Sequence, residues 1–302
     1  MSTDQQWKNI LLEHPADHVA RIILNRPDTR NAQDATLLYE LNEAFDRVAQ
    51  DDDVKVVILA ANGPHFSSGH DLRQRPEAQL KVLAERDTVG TWCGFGCAGA
   101  ESRMAIEKEL YIGFSERWRN MPKPTIAEVQ GKVVAGGLML MWPCDIIVAE
   151  TGARFQDNTL KMGVNGVEFF NHPWEFGIRK AKEMLFTGDW VTAEEAKGYG
   201  MVNHVVPPEE LAEFTLAMAK KIAEKPLFAL KLAKESVNAA QDHQGRVNAM
   251  QVSFAYHQLC HSHNMNLFDM PADPGFLLTN AVDIPLDALP EKARKALEAR
   301  MG

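Results

Sequence analysis

Up to about residue 206, short β-type runs alternate with helical patterns, and beyond it only helical patterns follow. That alternation commits the chain to an α/β architecture with buried strands, and the helix-only remainder reads as a separate region. The runs are VARIIL (19–24), VKVVILA (54–60), TIAEVQ (125–130), DIIVA (145–149), ARFQ (153–156) and Met201–Val206. Leu37, Leu38, Leu41, Ala44, Phe45 and Val48 recur at three- and four-residue intervals and predict an amphipathic helix capped by Asp34. Thr192 and Glu195 form a capping box for another helix, with a further one predicted over 177–187 and a loop over 160–176. Leu211, Phe214, Met218, Ala219 and Ile222 open the helical region; Leu227 to Val237, residues 246–268 and the tail continue it. The division expected is a core over 1–206 and a helical region over 207–302. Residues 73–118 interrupt the alternation: a charged stretch, the Gly- and Cys-rich TVGTWCGFGCAGA, then a return to helical pattern, as in a lid over a site or a surface insertion.

With 302 residues the chain can bury a full-sized core. A net charge of −9 argues against non-specific binding to nucleic acid or to an anionic membrane surface, while leaving room for a local basic patch. No apolar run approaches the roughly 20 residues that span a bilayer. The N-terminus MSTDQQWKNILLEHPAD lacks the basic and apolar segments of a secretory signal. Four cysteines, Cys93, Cys97, Cys144 and Cys260, make no disulfide framework, and a cytoplasmic location is expected. His257 and His261 would share a helix face, but no carboxylate or third ligand stands at an obvious spacing, so no metal is expected.

Within GKVVAGGLMLMWPCD (131–145), Gly136 and Gly137 close a strand and open an apolar helix. A glycine pair there lets another group approach the backbone and leaves the first helical N–H groups unpaired, beside the positive end of the helix dipole. The pair therefore reads either as an anion site or as a close helix–sheet contact.

Four ordered motifs then carry a resemblance: LNRPDTRNAQ (24–33), HFSSGHDL (65–72), PKPTIAEVQGKVVAGGLMLMWPCDIIVAE (122–150) and KAKEMLFTGDWVTAEEAKGYGMVNHVVPPEEL (180–211). Together they resemble the crotonase superfamily, the enoyl-CoA hydratase/isomerase family, over about residues 19–230. The resemblance implies an α/β spiral of β-β-α repeats with a C-terminal helical region that assembles trimers, often paired into hexamers. It implies an acyl-CoA thioester as substrate, with coenzyme A entering as part of that substrate and no permanently bound cofactor. The thioester oxygen, as it becomes an enolate, would be held by the backbone N–H groups of His70 and Gly136. Fixed donors of that kind lower such barriers by about 3–4 kcal/mol each. Arg26, Arg30, Ala32, His70, Asp71 and Leu72 would lie near coenzyme A.

The chain departs from the pattern at the acids. The slot three residues after Gly136 holds Met139, the slot twenty residues later holds Thr159, and the aspartate slot of other branches holds Val167. Adding water to a double bond needs groups that position the water and deliver a proton; Met139 does neither, so ordinary crotonyl-CoA hydration is not expected. A decarboxylase branch of the family resembles this chain in having threonine at the Thr159 slot and a histidine after the first-loop glycine, here His70. Glu168, next to the Val167 slot, is the leading substitute acid, in a loop with His172 and Glu175 that should border the acyl pocket. Asp157, Glu101, Glu107, Glu109 and Glu116 are further candidates, and Trp92, Phe95, Phe169, Phe170 and Trp174 could line a bulky acyl site. The reading is an acyl-CoA lyase or isomerase with non-standard hydratase-like chemistry. Its alternatives are a malonyl-type acyl-CoA decarboxylase and a non-catalytic acyl-CoA binder.

Overall fold

The computed structural model describes residues 7–90, 92–279 and 284–301. The first six residues of the stretch read for a signal, and Thr91 of the Gly- and Cys-rich patch, lie outside them. Nine strands form two sheets among the described residues. The larger sheet takes β1 (Ile10–Ala16), β2 (Val19–Leu24), β3 (Val56–Ala61), β4 (Thr125–Val129), β6 (Ile146–Glu150) and β9 (His204–Val206), in that order. The smaller takes β5 (Lys132–Val134), β7 (Arg154–Gln156) and β8 (Val191–Thr192). From β2 to β9 the larger sheet is parallel; β1, absent from the sequence reading, adds antiparallel to its edge. After β4 the chain crosses into the smaller sheet as β5, and after β6 it does so again as β7, so these two turns of a spiral each add a strand to both layers.

Apolar packing explains the order. Helix α1 (Ala35–Gln50) is capped by Asp34, whose side chain accepts from the Leu37 N–H at 2.8 Å. Its Leu37, Leu38, Leu41, Ala44 and Phe45 enter the main core with Ile22, Leu24, Val57 and Leu59. The opposite face of the larger sheet, with Val19, Val56, Ile58, Ile126 and Val148, is closed by Leu211, Ala219 and Ala223 of α8 (Leu211–Ala223). The first helix after residue 206 is thus a layer on the sheet; α9 (Leu227–His243), α10 (Arg246–Phe268) and α11 (Glu291–Met301) continue beyond it. No helix of the described residues is long and apolar enough to cross a membrane.

Residues 73–118 fold as α2 (Pro76–Glu85), α3 (Ala100–Glu107), a π-helical turn Lys108–Gly113 and α4 (Phe114–Arg119). The helix opened by the glycine pair is shorter than its sequence suggests: a 3₁₀ turn Ala135–Gly137 and then α5 (Leu138–Met141). So short a helix offers oriented N–H groups with little macrodipole behind them. Met139 is core, 2% exposed. The predicted loop over 160–176 is also partly helical. Here α6 (His172–Thr187) starts at His172 with Pro173 in its first turn and kinks at Gly177, where φ is +68°, so only its second half matches the predicted 177–187. The capping box at Thr192 opens α7 (Ala193–Tyr199) as predicted.

Candidate active site

Two loops meet at the end of the sheets. The backbone of Gln33 bonds across to the second loop, its N–H donating to Gly69 O at 2.8 Å and its carbonyl accepting from Asp71 N–H at 2.9 Å. Val134 N–H donates to Ser67 O at 3.0 Å, which ties the same loop to the strand leading into the glycine pair. The approach is close enough to require glycine on both sides. A Cβ on Gly69, where φ is +88°, would stand 2.7 Å from Val134 O and 3.1 Å from Gly136 N. A Cβ on Gly136 would stand 2.7 Å from the His70 ring. Ala135 itself has φ +45°, a left-handed conformation that costs a residue with a Cβ about 1 kcal/mol or more. The backbone N–H groups of His70 and Gly136 are therefore neighbours on rigid supports.

The His70 side chain, which the backbone role does not require, forms part of the same site. Its ring stacks on Tyr111 of the π-helical turn at 4.0 Å between centroids. Nδ1 lies 3.2 Å from Gln33 Oε1, and Nε2 lies 3.2 Å from Glu168 Oε2. Gln33 Nε2 donates to Gly136 O at 2.6 Å, so its Oε1 faces His70 as an acceptor and Nδ1 carries a proton. The Glu168 carboxylate accepts a second one from Nε2. The pair is an imidazolium–carboxylate ion pair. Burial alone would push the His70 pKa down, but Glu168 outweighs it and the pKa is raised. Burial likewise opposes ionisation of Glu168, yet His70 and then His257 hold its carboxyl at about 2. Glu168 is 4% exposed and sits between two imidazoles, with His257 Nε2 at 3.5 Å from Oε1.

Thr159 belongs to a different network. Its hydroxyl donates to Asp157 Oδ1 at 2.6 Å, its N–H reaches the same oxygen at 3.0 Å, and Val167 N–H and His172 Nε2 bind Oδ2 at 3.0 and 2.8 Å. Asp157 is thus the buried pin of the loop that presents Glu168. Its pKa is lowered because these hydrogen bonds, led by His172, outweigh burial. The expectation that Glu168, His172 and Glu175 share one pocket border is corrected here. His172 is spent on Asp157, while Glu175 and Trp174 line a separate cavity of about 530 Å³ with Trp142, Asp145 and Lys234. Glu175 bonds to Asn171, and burial, which outweighs that bond, pushes its carboxyl up to about 8.

Of the other acids, Glu109 accepts from Val89 and Gly90 N–H and from the Tyr39 hydroxyl, and Glu116 pairs with Arg246. Both are structural. Glu101 is exposed. Glu107 is the acid that reaches inward: its Oε1 is 3.4 Å from His261 Nε2 and its Oε2 3.9 Å from His257 Nε2. The expectation that the two histidines have no third partner is therefore corrected; the insertion supplies one. The aromatic candidates disperse. Phe169 is buried beneath Arg246, Phe170 packs on His172, and Trp92 is exposed beneath Lys108.

The residues implied for coenzyme A are only partly gathered. Arg26 donates to Ala32 O at 2.5 Å and pairs with Asp34 and Asp71 at 3.1 Å each, so it fastens the two loops. Ala32 is buried, and Arg30 and Leu72 are exposed beside consecutive left-handed residues Arg30 and Asn31.

The profile of the Enoyl-CoA hydratase/isomerase family matches residues 15–89 and 97–266. EchA13 of Mycobacterium tuberculosis, a protein assigned by name to the enoyl-CoA hydratases, is 45% identical over 247 residues, covering 81% of this chain and 78% of its own. A crystal structure described as a probable enoyl-CoA hydratase from Mycobacterium smegmatis superposes with a TM-score of 0.79 at 44% identity, over 88% of this chain and 98% of that one. An enoyl-CoA hydratase/isomerase from Xanthobacter autotrophicus Py2 does so with a TM-score of 0.75 at 30% identity, over 98% and 97%.

Proposed function

The chain belongs to the enoyl-CoA hydratase/isomerase family of acyl-CoA-processing enzymes, with the crotonase fold, and we propose that it forms a thioester enolate that His70 protonates. The carbonyl oxygen would sit on the N–H groups of His70 and Gly136, where donors fixed in advance stabilise charge as it develops. In place of the family's two glutamates the chain offers one ion pair, His70 and Glu168, against the Gly136 peptide. That pair is the observation that carries the reading. Glu168 would orient the ring and keep it charged, and His70 would deliver a proton to the carbon beside the thioester.

A resting cation is a proton donor and not a base, which favours reactions whose enolate arises without proton abstraction. Loss of carbon dioxide from a malonyl-type thioester is one; attack of water on an enoyl thioester, with its proton passed to a second group, is the other. This reading gives Thr159 no step of its own, its hydroxyl being bonded to Asp157. Crotonyl-CoA, longer enoyl-CoAs and methylmalonyl-CoA, assayed with the parent and with His70→Asn, separate the readings. The variant keeps the residue-70 N–H and loses the imidazole. We expect kcat to fall by about 10²–10⁴-fold with KM little changed. Full activity in folded His70→Asn sinks the assignment, and tight binding of every thioester without turnover would favour a non-catalytic binder.

A further inference from the structure

Beyond this reaction, we propose that Glu107, His257 and His261 form a binding site for a divalent transition-metal ion of the zinc class. The two histidines lie one turn apart on α10, and Glu107 ends α3 of the insertion. Nδ1 of His257 lies 2.8 Å from Gly166 O, and Nδ1 of His261 lies 2.6 Å from Pro271 O. A backbone carbonyl can only accept, so in each ring Nδ1 carries a proton and Nε2 faces the carboxylates, where a bound metal ion would displace the proton that Nε2 shares with them. Both Nε2 atoms point at one carboxylate. This is the outer-shell arrangement that fixes metal-binding histidines, a backbone acceptor behind each ring.

The three donor atoms lie within 4.8 Å of one another. Ligands about 2.0–2.2 Å from a tetrahedral zinc stand about 3.3–3.5 Å apart, so inward shifts of about 1 Å or less complete the geometry. Glu107 and His257 are buried at 6% and 3% exposure, and imidazole with carboxylate is a donor set for zinc, cobalt or nickel in preference to calcium or magnesium. Gln258 Nε2 donates to Glu107 Oε2, and Oε1 faces His261. Arg103, one turn before Glu107, forms no ion pair with it among the described residues and has an Nη1 without a hydrogen-bond partner. The carboxylate thus has two imidazole nitrogens facing it and no lysine or arginine ion pair among the described residues. The site adjoins the ion pair of the reaction through Glu168, 3.5 Å from His257 and 3.2 Å from His70.

The test uses untagged full-length protein carrying Cys93→Ser and Cys97→Ser, because those exposed thiols would bind zinc on their own. After chelator treatment it is titrated with Zn²⁺ against a chromophoric competitor, and separately with Co²⁺ while visible absorption is recorded. The expected result is one Zn²⁺ per chain and cobalt d–d bands without a thiolate charge-transfer band. Loss of an outer-shell partner alone costs about 10–100-fold in affinity, so Glu107→Gln and His261→Asn should each weaken binding at least about 100-fold. His261 is half-buried, so its variant serves even where Glu107→Gln fails to fold. No competitive Zn²⁺ binding by the folded parent overturns the proposal. So does equal binding by the folded variants, or a thiolate–cobalt band, which would assign the ion to a cysteine such as Cys260.

Discussion

Gly136 has no room for a side chain, because the His70 ring occupies the place a Cβ would take. Gly136→Ala should therefore fold and yet push the ring off Gln33 and Glu168. We expect kcat/KM to fall about 100-fold or more, the scale of losing one oxyanion donor or a general acid, with a lower melting temperature because the buried ion pair is broken. Unchanged kinetics in the folded variant would show that the ring and the peptide do not act together. The glycine pair was legible in the sequence because conformational demand falls on a few residue types. The His70 side chain was legible only as a histidine shared with a decarboxylase branch; its contacts were not, because its partners Gln33, Tyr111 and Glu168 are distant in sequence.

At the scale of elements, α10 is fastened to the insertion by Arg246. Its guanidinium is fully buried, donates to both carboxylate oxygens of Glu116 at 2.7 and 2.9 Å, and reaches Asp242 at 2.6 Å. Arg246→Met should cost about 3 kcal/mol by stranding partly buried carboxylates, read as a shift in denaturant midpoint at constant m-value. Helix α6 carries a pH dependence of its own. The Glu175 carboxyl titrates at about 8 in the fold against an ordinary 4.5, so the fold favours its neutral form. That contribution is complete below about pH 4.5 and is lost as pH rises towards 8. Glu175→Gln should flatten the fall in melting temperature between those limits; a variant that follows the parent curve would refute the assignment. Elements with local signals, such as the Asp34 cap, the α1 stripe and the Thr192 capping box, stand where the sequence puts them. Edge strand β1 and the π-helical turn carry no such signal. The first is defined by pairing with β2 and the second by packing against His70 and Tyr39.

For the whole molecule, the outer helices show apolar residues to solvent: Phe228 at 72%, Val237 at 70%, Leu259 at 65% and Tyr256 at 59% exposure. A single chain rarely leaves so many large side chains uncovered on neighbouring helices. We expect a trimer or a pair of trimers, with Leu259→Asp or Tyr256→Asp lowering the mass measured by light scattering. A monomeric parent at micromolar concentration would refute this.

The separation of 151 positions from Glu107 to Gln258 also sets a schedule. At about 5–20 residues per second, a ribosome takes roughly 8–30 s to travel from the insertion to α10. In the later part of that interval, once residue 168 is made, the nascent chain holds its glycine loops and its Glu168 loop, while His257 and His261 do not yet exist. The last long helix to leave the ribosome thus brings Glu107 and Glu168 their histidine partners, so these contacts form only when α10 has been made.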